Sequence, residues 1–191
     1  RICLSMVLLN ACIHLRAQEK PNILIIMSDE LSAESMSFNL GNKFINTPNI
    51  DHLAKTGVVF SNAYCANPLC VPSRSSIFTG RYPHELGIQN NEEKKVDPKI
   101  FPSLGSIFKN AGYETGYVGK WHLPYDRKAP DTHGFDYLPN KTGNGHDSTS
   151  PNLADDFIKT KRDNPFLLVV SFMNPHNICQ WARGEKLPDG A

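Results

Sequence analysis

The chain has 191 residues, with 20 Lys and Arg against 19 Asp and Glu, and 40% of its residues are hydrophobic. This length suits one domain or the front of a larger one. A net charge of +1 excludes the basic surplus that nucleic-acid binding requires, so we expect no nucleic-acid partner.

An apolar run covers residues 2–15, and a polar stretch follows it. The run is too short and too interrupted to span a bilayer, so we expect no transmembrane segment. Its order is typical of the apolar core and cleavage zone of a signal peptide. Residues 1–18 are therefore predicted to be a partial leader of an exported, periplasmic or secreted protein. Two alternatives stay open, namely a bacterial lipobox that attaches a lipid to Cys12 and a buried N-terminal helix.

The first predicted strand covers residues 21–28, a short apolar run with β-branched side chains. Such a run is typical of a strand that is buried on both faces. The strand ends at Asp29 and Glu30. A helix is predicted over residues 48–56, and a second extended run is predicted to begin at residues 58–60.

The rest of the chain alternates helices with strands. Helices are predicted over residues 73–78, 103–111 and 152–162, and strands over residues 113–118 and 166–173. Residues 124–151 are rich in Pro, Gly, Asn, Asp and His, which predicts a long functional loop. The alternation predicts an α/β fold with a mostly parallel sheet flanked by helices.

Reactive side chains directly follow three of the predicted strands. Asp29 follows the first strand, and Lys120 and His122 follow the strand that is predicted over residues 113–118. His176 follows the strand that is predicted over residues 166–173. Sites in open α/β sheets form outside the carboxyl ends of the strands, so these groups are expected to converge. Cys70 lies in the predicted loop between a strand and a helix, where it can join them.

Five cysteines are present, and two of them lie in the predicted leader. The other three, Cys65, Cys70 and Cys179, make an odd number, which in an exported protein indicates a reactive or modified sulfur. A disulfide between Cys65 and Cys179 stays possible. No group of cysteines and histidines has the spacing of a zinc site.

One segment carries a specific motif. Residues 70–74 read Cys-Val-Pro-Ser-Arg, and Thr-Gly-Arg follows at residues 79–81. The segment resembles the C-x-P-S-R signature of the type I, formylglycine-dependent sulfatases of the alkaline-phosphatase-like superfamily. The resemblance runs from residue 21 to the end of the chain. It implies that residues 19–191 are the N-terminal part of a sulfatase catalytic domain.

The resemblance implies a covalent mechanism at Cys70. A separate maturation system would oxidise Cys70 to formylglycine, whose aldehyde hydrates to a geminal diol. One hydroxyl attacks sulfur, and the second later expels the sulfate. A helix after Cys70 would direct its N-terminal N–H groups at the sulfate. About one helical turn further on, Arg74 would hold the diol or its oxyanion.

A divalent cation, usually calcium, is also implied at the end of the first strand. Asp29 is the expected ligand, together with Glu30 and the modified Cys70. The family commonly has a second aspartate at the position of Glu30, so whether Glu30 binds the ion stays open. The cation would polarise the sulfate and favour ionisation of the diol.

Two further segments resemble the family. The sequence Gly-Lys-Trp-His at residues 119–122 implies that Lys120 binds sulfate oxygens. It also implies that His122 anchors or deprotonates the formylglycine hydroxyl. His176 is the implied group that binds the sulfate or protonates the leaving alcohol. Weaker candidates for contact with substrate are His84, His133, His146 and Trp181.

Taken together, these residues imply a sulfuric ester hydrolase for sulfated glycans or a small aryl or alkyl sulfate. A phosphonate or phosphodiester hydrolase of the same superfamily and an inactive sulfate-binding fragment are the alternatives. The family has two more metal ligands and a second sulfate-binding lysine in a later segment. The 191 residues alone are therefore predicted not to hydrolyse sulfate esters.

Overall fold

Three parallel strands form the centre of the fold. The computed structural model describes residues 19–92, 94–139 and 147–187, so the predicted leader with Cys12 lies outside the described residues, as does His146. The strands are β1 (Ile23–Asp29), β2 (Glu114–Gly119) and β3 (Phe166–Pro175). Their order is β1-β3-β2, which places the strand that comes last in the chain in the middle of the sheet. The predicted α/β fold with a parallel sheet is confirmed.

Helices connect and flank these strands. The described residues form α1 (Ser37–Leu40), α2 (Pro48–Thr56), α3 (Cys70–Thr79), α4 (Leu104–Asn110), α5 (Pro130–His133), α6 (Ser150–Lys159) and α7 (Ile178–Ala182). Helix α3 begins at Cys70 itself, earlier than predicted. Pro72 is compatible with this start because the N–H that it lacks would have no helical partner in the first turn. In the part of the chain that the structure describes, every helix is too short or too polar to cross a membrane.

The core lies on both faces of the sheet. On one face, Tyr117 of β2 and Leu167 of β3 pack with Phe78 of α3. On the other face, Leu168 of β3 packs with Phe157 of α6. Full burial of a side chain of this size stabilises a fold by about 1.5–3 kcal/mol. The central strand β3 therefore contributes to both parts of the core, as its continuous apolar sequence predicts.

Strand β1 is buried on one face only, so the prediction of two buried faces is wrong. Ile23, Ile25 and Met27 pack against the core, whereas Leu24 and Ile26 are 46% and 59% exposed. The reason is that β1 is an edge strand, and helix α6 packs on β2 and β3. Within the described residues, the outer face of β1 is open to solvent.

Two other segments differ from expectation. Residues 58–60 form no strand, and Val58 and Phe60 are 80% and 79% exposed. A strand requires a partner, and the described strand pairs all involve β3. The predicted long loop is partly ordered, because it contains α5 and a bridge between Tyr137 and Gly116 of β2.

A β-bulge shapes the carboxyl end of β3. Ser28 of β1 lies opposite Phe172, but the next residue, Asp29, lies opposite Pro175. The two residues between them, Met173 and Asn174, are therefore extra residues of β3. A bulge bends its strand and redirects the residues that follow. Here the segment that follows contains His176.

Candidate active site

Five of the seven predicted site residues, all but Lys120 and His122, line one cavity of about 580 Å³ at the carboxyl ends of the strands. Those in its wall are Asp29, Glu30, Cys70, Arg74 and His176. Their convergence follows from the parallel sheet, in which carboxyl ends meet at one edge. A hollow of about 790 Å³ at the opposite, amino-terminal edge is lined by none of them.

Cys70 is the first residue of α3, and Leu69 is its N-cap. The sequence predicted a loop position for it. Its Sγ atom lies 3.5 Å from Lys120 Nζ and 3.8 Å from Asp29 Oδ2. Asn91 fixes the first turn, because its Oδ1 accepts the Val71 N–H at 3.0 Å. A reactive atom at a helix N-terminus lies where N–H groups and the helix dipole favour an anion.

Asp29 is a buried carboxylate with two cationic partners. Its side chain accepts hydrogen bonds from Lys120 Nζ and, at 3.3 Å, from Arg74 Nη2. Burial by itself would raise the pKa of Asp29. The hydrogen bond and charge of Lys120, together with Arg74, outweigh burial and hold that pKa below its ordinary value. Asp29 is therefore ionised at neutral pH and available as an anionic ligand.

Arg74 joins the helix to all three strands. It is 3% exposed, and its Nη1 donates to Ser171 Oγ at 2.8 Å and to the Lys120 carbonyl at 3.2 Å. The same nitrogen lies 3.3 Å from the hydroxyl oxygen of Tyr117, whose pKa is raised by burial. Among the described residues, Arg74 makes no hydrogen bond to Cys70. Its role in the structure is therefore to hold Asp29 and the backbone of Lys120 in place beside Cys70.

Lys120 reaches Asp29 because Gly119 precedes it. Gly119 has a φ of 98°, a left-handed value that favours glycine. A Cβ atom there would lie 1.9 Å from the Ser171 carbonyl oxygen. That oxygen accepts the Lys120 N–H at 2.8 Å. The glycine of the Gly-Lys-Trp-His segment therefore allows β2 and β3 to stay close while the lysine turns into the site, where it is 4% exposed.

His122 lies at the rim of the site and is exposed. Its φ of 43° is also left-handed. Partial burial of the ring lowers the pKa of His122, and the charges of Lys120 and Arg74 lower it further. The imidazole is therefore neutral at pH 7 and able to accept a proton. In the described part of the chain its ring makes no hydrogen bond to Cys70.

Glu30 and His176 form a second polar group near Cys70 and Asp29. His176 Nε2 is 3.7 Å from Glu30 Oε1 and 4.0 Å from Asp29 Oδ2. Cys179 Sγ donates to Glu30 Oε2 at 3.4 Å, and this hydrogen bond raises the pKa of the Cys179 thiol. Ligand atoms of Asp29, Cys70 and His176 lie within 4.8 Å of one another. No local sequence pattern predicts the contact between Cys179 and Glu30, which lie far apart in the chain.

No disulfide joins the described cysteines, so Cys65 and Cys179 are not paired. Cys65 Sγ instead lies 2.9 Å from the Asn67 carbonyl oxygen and 3.1 Å from Ser73 Oγ. Both contacts fix the loop that leads into α3. Cys65 also lines the cavity, which makes it a natural control for chemistry at Cys70.

The oxygen donors of the site fit part of the coordination shell of a hard divalent cation. Asp29 and Glu30 supply carboxylate oxygens, the ligands that such ions prefer. The Cys70 thiol is a soft ligand and does not suit calcium, whereas a hydrated formylglycine would offer oxygen. Calcium takes about six to eight oxygens, so Asp29, Glu30 and a modified Cys70 fit part of its shell.

His133 and His84, two of the weaker candidates for contact with substrate, pack against aromatic side chains outside the cavity. His133 is 0% exposed, and its Nδ1 accepts the Phe135 N–H at 3.1 Å. Its ring packs on Trp121 at 4.9 Å, so the expectation that it contacts substrate is wrong. His84 stacks on Tyr82 at 5.8 Å, outside the cavity wall.

The parallel sheet and its strand-end site define an α/β domain of the alkaline-phosphatase-like superfamily. The Sulfatase family model matches residues 21–185. The chain therefore belongs to the sulfatase family.

Known proteins agree with this assignment. A Delta 4,5-hexuronate-2-O-sulfatase of Bacteroides thetaiotaomicron is 34% identical over 174 residues, covering 86% of this chain and 36% of the relative. A solved 2-O GAG sulfatase shares 32% identity at a TM-score of 0.68 and covers 87% of this chain and 37% of that one.

A second solved structure, in complex with its substrate D-glucosamine-2-N,6-O-disulfate, shares 27% identity at a TM-score of 0.69 and covers 83% of this chain and 35% of that one. The present chain thus spans about a third of the length of these relatives.

Proposed function

We propose that this chain is the nucleophile-bearing part of an exported sulfuric ester hydrolase. One observation carries the proposal: Cys70 of the sulfatase signature begins α3 and faces Lys120 at 3.5 Å and Asp29 at 3.8 Å. A separate maturation system oxidises Cys70 to formylglycine. That group would supply a hydrated aldehyde with one hydroxyl to attack sulfur and displace the alcohol, and a second hydroxyl whose collapse to the aldehyde would expel sulfate.

The chain's own residues bind the sulfate and move protons. The ammonium of Lys120 binds sulfate oxygens, and the positive end of the α3 dipole favours the anion there. The neutral ring of His122 accepts a proton from the attacking group, and His176 donates one to the leaving alcohol. Arg74 keeps Asp29 and Lys120 in place. Asp29 and Glu30 would hold a divalent cation, for which we propose Ca²⁺ and which would supply polarisation of the sulfate.

A sulfated glycan is the proposed substrate class. The support comes from the relatives, of which one is a hexuronate-2-O-sulfatase and another was solved with a disulfated glucosamine. Trp181, 69% exposed on α7 just beyond His176, offers a ring on which a sugar can stack. Export rests on the leader pattern of residues 1–18, and a lipid on Cys12 is the alternative form of it.

Competing substrates test the reaction type. The protein, purified as its native gene encodes it, is assayed with aryl sulfate, aryl phosphate and an aryl phosphonate monoester. We expect the highest kcat/KM with aryl sulfate. A higher value for the phosphonate or the phosphate would replace the proposal with the phosphonate or phosphodiester hydrolase. No turnover of any ester, with a free thiol at Cys70, would favour the inactive sulfate-binding fragment.

Lys120 supplies a second test on the same substrates. Lys120→Met is expected to lower kcat/KM for aryl sulfate by about 10²–10³-fold, as for loss of one donor to a reacting oxyanion. Lys109→Met is the matched control, because Lys109 forms an exposed ion pair with Asp136 at 2.6 Å. Equal rates for the two variants would contradict the role of Lys120.

A further inference from the structure

Asp147 binds the bulge at the end of β3. Its Oδ1 accepts the Met173 N–H at 2.8 Å, and its Oδ2 accepts the Asn174 N–H at 2.7 Å. Both oxygens of one carboxylate are thus used by two consecutive backbone groups. Hydrogen bonds to an ionised acceptor are about twice as strong as neutral ones. Asp147 is half-buried and lies in the segment predicted as a long loop.

These two N–H groups have no strand to bind. Met173 and Asn174 are the residues that the register shift leaves unpaired with β1. On the other side, β2 ends at Gly119, opposite Ser171. Buried backbone N–H groups without partners are costly. The carboxylate of Asp147 therefore replaces the missing strand at the point where β3 bends.

The bulge in turn positions His176. The His176 N–H donates to the Met173 carbonyl at 3.1 Å, so the backbone of the histidine is fixed to a residue that Asp147 holds. The imidazole Nε2 lies 4.0 Å from Asp29 Oδ2, and its buried Nδ1 has no partner in the described part of the chain. Since the ring has few contacts of its own, its placement depends on this backbone.

We propose that Asp147 is a positioning residue that sets His176 for proton transfer to the leaving alcohol. The inference rests on the proposed role of His176. A displacement of about 1 Å in a reacting group can lower a rate by about 10²-fold. Loss of Asp147 is therefore expected to slow the proton transfer by His176, although the Asp147 side chain itself bonds only the Met173 and Asn174 N–H groups in the described chain.

Leaving-group dependence provides the test. Asp147→Ala and Asp147→Asn are compared with wild type on an alkyl sulfate, a poor leaving group, and a nitrophenyl sulfate, a good one. We expect Asp147→Ala to lower kcat about 10²-fold on the alkyl ester and far less on the nitrophenyl ester, with KM nearly unchanged. Asp147→Asn keeps one acceptor and should recover part of the rate. Asp155→Asn is the matched control, because Asp155 forms an exposed pair with Lys159 at 2.6 Å.

A double-mutant cycle sharpens the result. If Asp147 acts through His176, then Asp147→Ala should cost little in a His176→Ala background. Additive losses, or equal losses on both esters, would overturn the proposal.

Hydrogen exchange of the Met173 and Asn174 amides gives a readout that needs no activity. We expect fast exchange in Asp147→Ala and slow exchange in wild type and Asp155→Asn. Unchanged exchange would overturn the positioning role. Fast exchange in a protein whose wild type hydrolyses no sulfate ester would instead count against the proposed function alone.

Discussion

The two sides of the site differ in how their charges are held. Asp29, Cys70, Arg74 and Lys120, the paired half, have polar partners within 4 Å, and the three charged members are less than 9% exposed. Glu30, His176 and Cys179, the open half, are more exposed, and His176 is 3.7 Å or more from either carboxylate. The His176 Nδ1 atom and the Asn177 side chain lack partners in the described part of the chain.

Because of this difference, we expect the two halves to contribute differently to the stability of the fold and to the reaction. The paired half connects α3 with every strand, and the bond from Arg74 to Ser171 spans 97 positions in sequence. The open half follows the β3 bulge and has few contacts. Substitutions of the three charged residues of the paired half should therefore cost stability as well as activity. Substitutions in the open half should cost activity alone.

Cys70 should give the largest effect on rate. Cys70→Ala removes the group that we propose forms the covalent bond, and loss of a nucleophile costs on the order of 10⁶-fold in kcat. Stability should hardly change, because Cys70 only borders the ion pairs. The measurement is turnover of aryl sulfate by the native protein. Cys65→Ala is the control, since Cys65 also lines the cavity, and a comparable loss in that variant would contradict the assignment.

Arg74 should give the largest effect on stability. Arg74→Met removes one of the two cationic partners of the buried Asp29 and the Arg74 donor to Ser171, and breaking a buried pair from one side costs about 3–5 kcal/mol. The free energy of unfolding in urea measures this. Arg81→Met is the control, because Arg81 pairs with Glu85 at the surface at 3.8 Å and such pairs contribute at most about 1 kcal/mol. Equal losses would remove the distinction between buried and exposed pairs.

His176 should separate the two halves. His176→Ala is expected to lower kcat about 10²-fold, the lower range for general acid catalysis, while the free energy of unfolding stays close to wild type. His84→Ala is the control, because His84 is exposed and stacks on Tyr82. If His176→Ala destabilised the fold as much as Arg74→Met, the open half would be structural.

The smallest expected effect is a pH dependence of stability. The pKa of Asp29 lies below its ordinary value of 3.8 in the folded chain. Its ion pairs therefore contribute stability that is fully present above pH 3.8 and is lost as the pH falls through the lower, folded pKa. Unfolding in urea across this acid range should show a steeper loss for wild type than for Asp29→Asn. Parallel curves would show that Asp29 gains nothing from Lys120 and Arg74.

The sequence predicted which residues meet better than it predicted how they are held. Polar residues directly after apolar strands, such as Asp29 and His176, converge because parallel strands share one edge. Ser171 lies inside β3 with apolar neighbours, so its sequence context predicts a core position and does not indicate the hydrogen bond to Arg74. The pairing of Cys179 with Glu30 joins residues 149 positions apart, and no local pattern can encode it.

The same limit applies to the fold. An apolar run such as residues 21–28 predicts a strand, but it does not say whether both faces have neighbours. Leu24 and Ile26 are exposed because no described element packs on that face of β1. Residues 58–60 are apolar and include two β-branched valines, yet a strand forms only where a partner strand lies alongside.

Mass spectrometry of the native protein is the direct test of the proposal that Cys70 is converted to formylglycine. Trypsin releases residues 56–74 as one peptide, which contains both Cys65 and Cys70. We expect an aldehyde at position 70 and an unmodified thiol at position 65, and an aldehyde-specific hydrazide probe should label position 70 alone. A free thiol at position 70 in protein that turns over sulfate esters would contradict it.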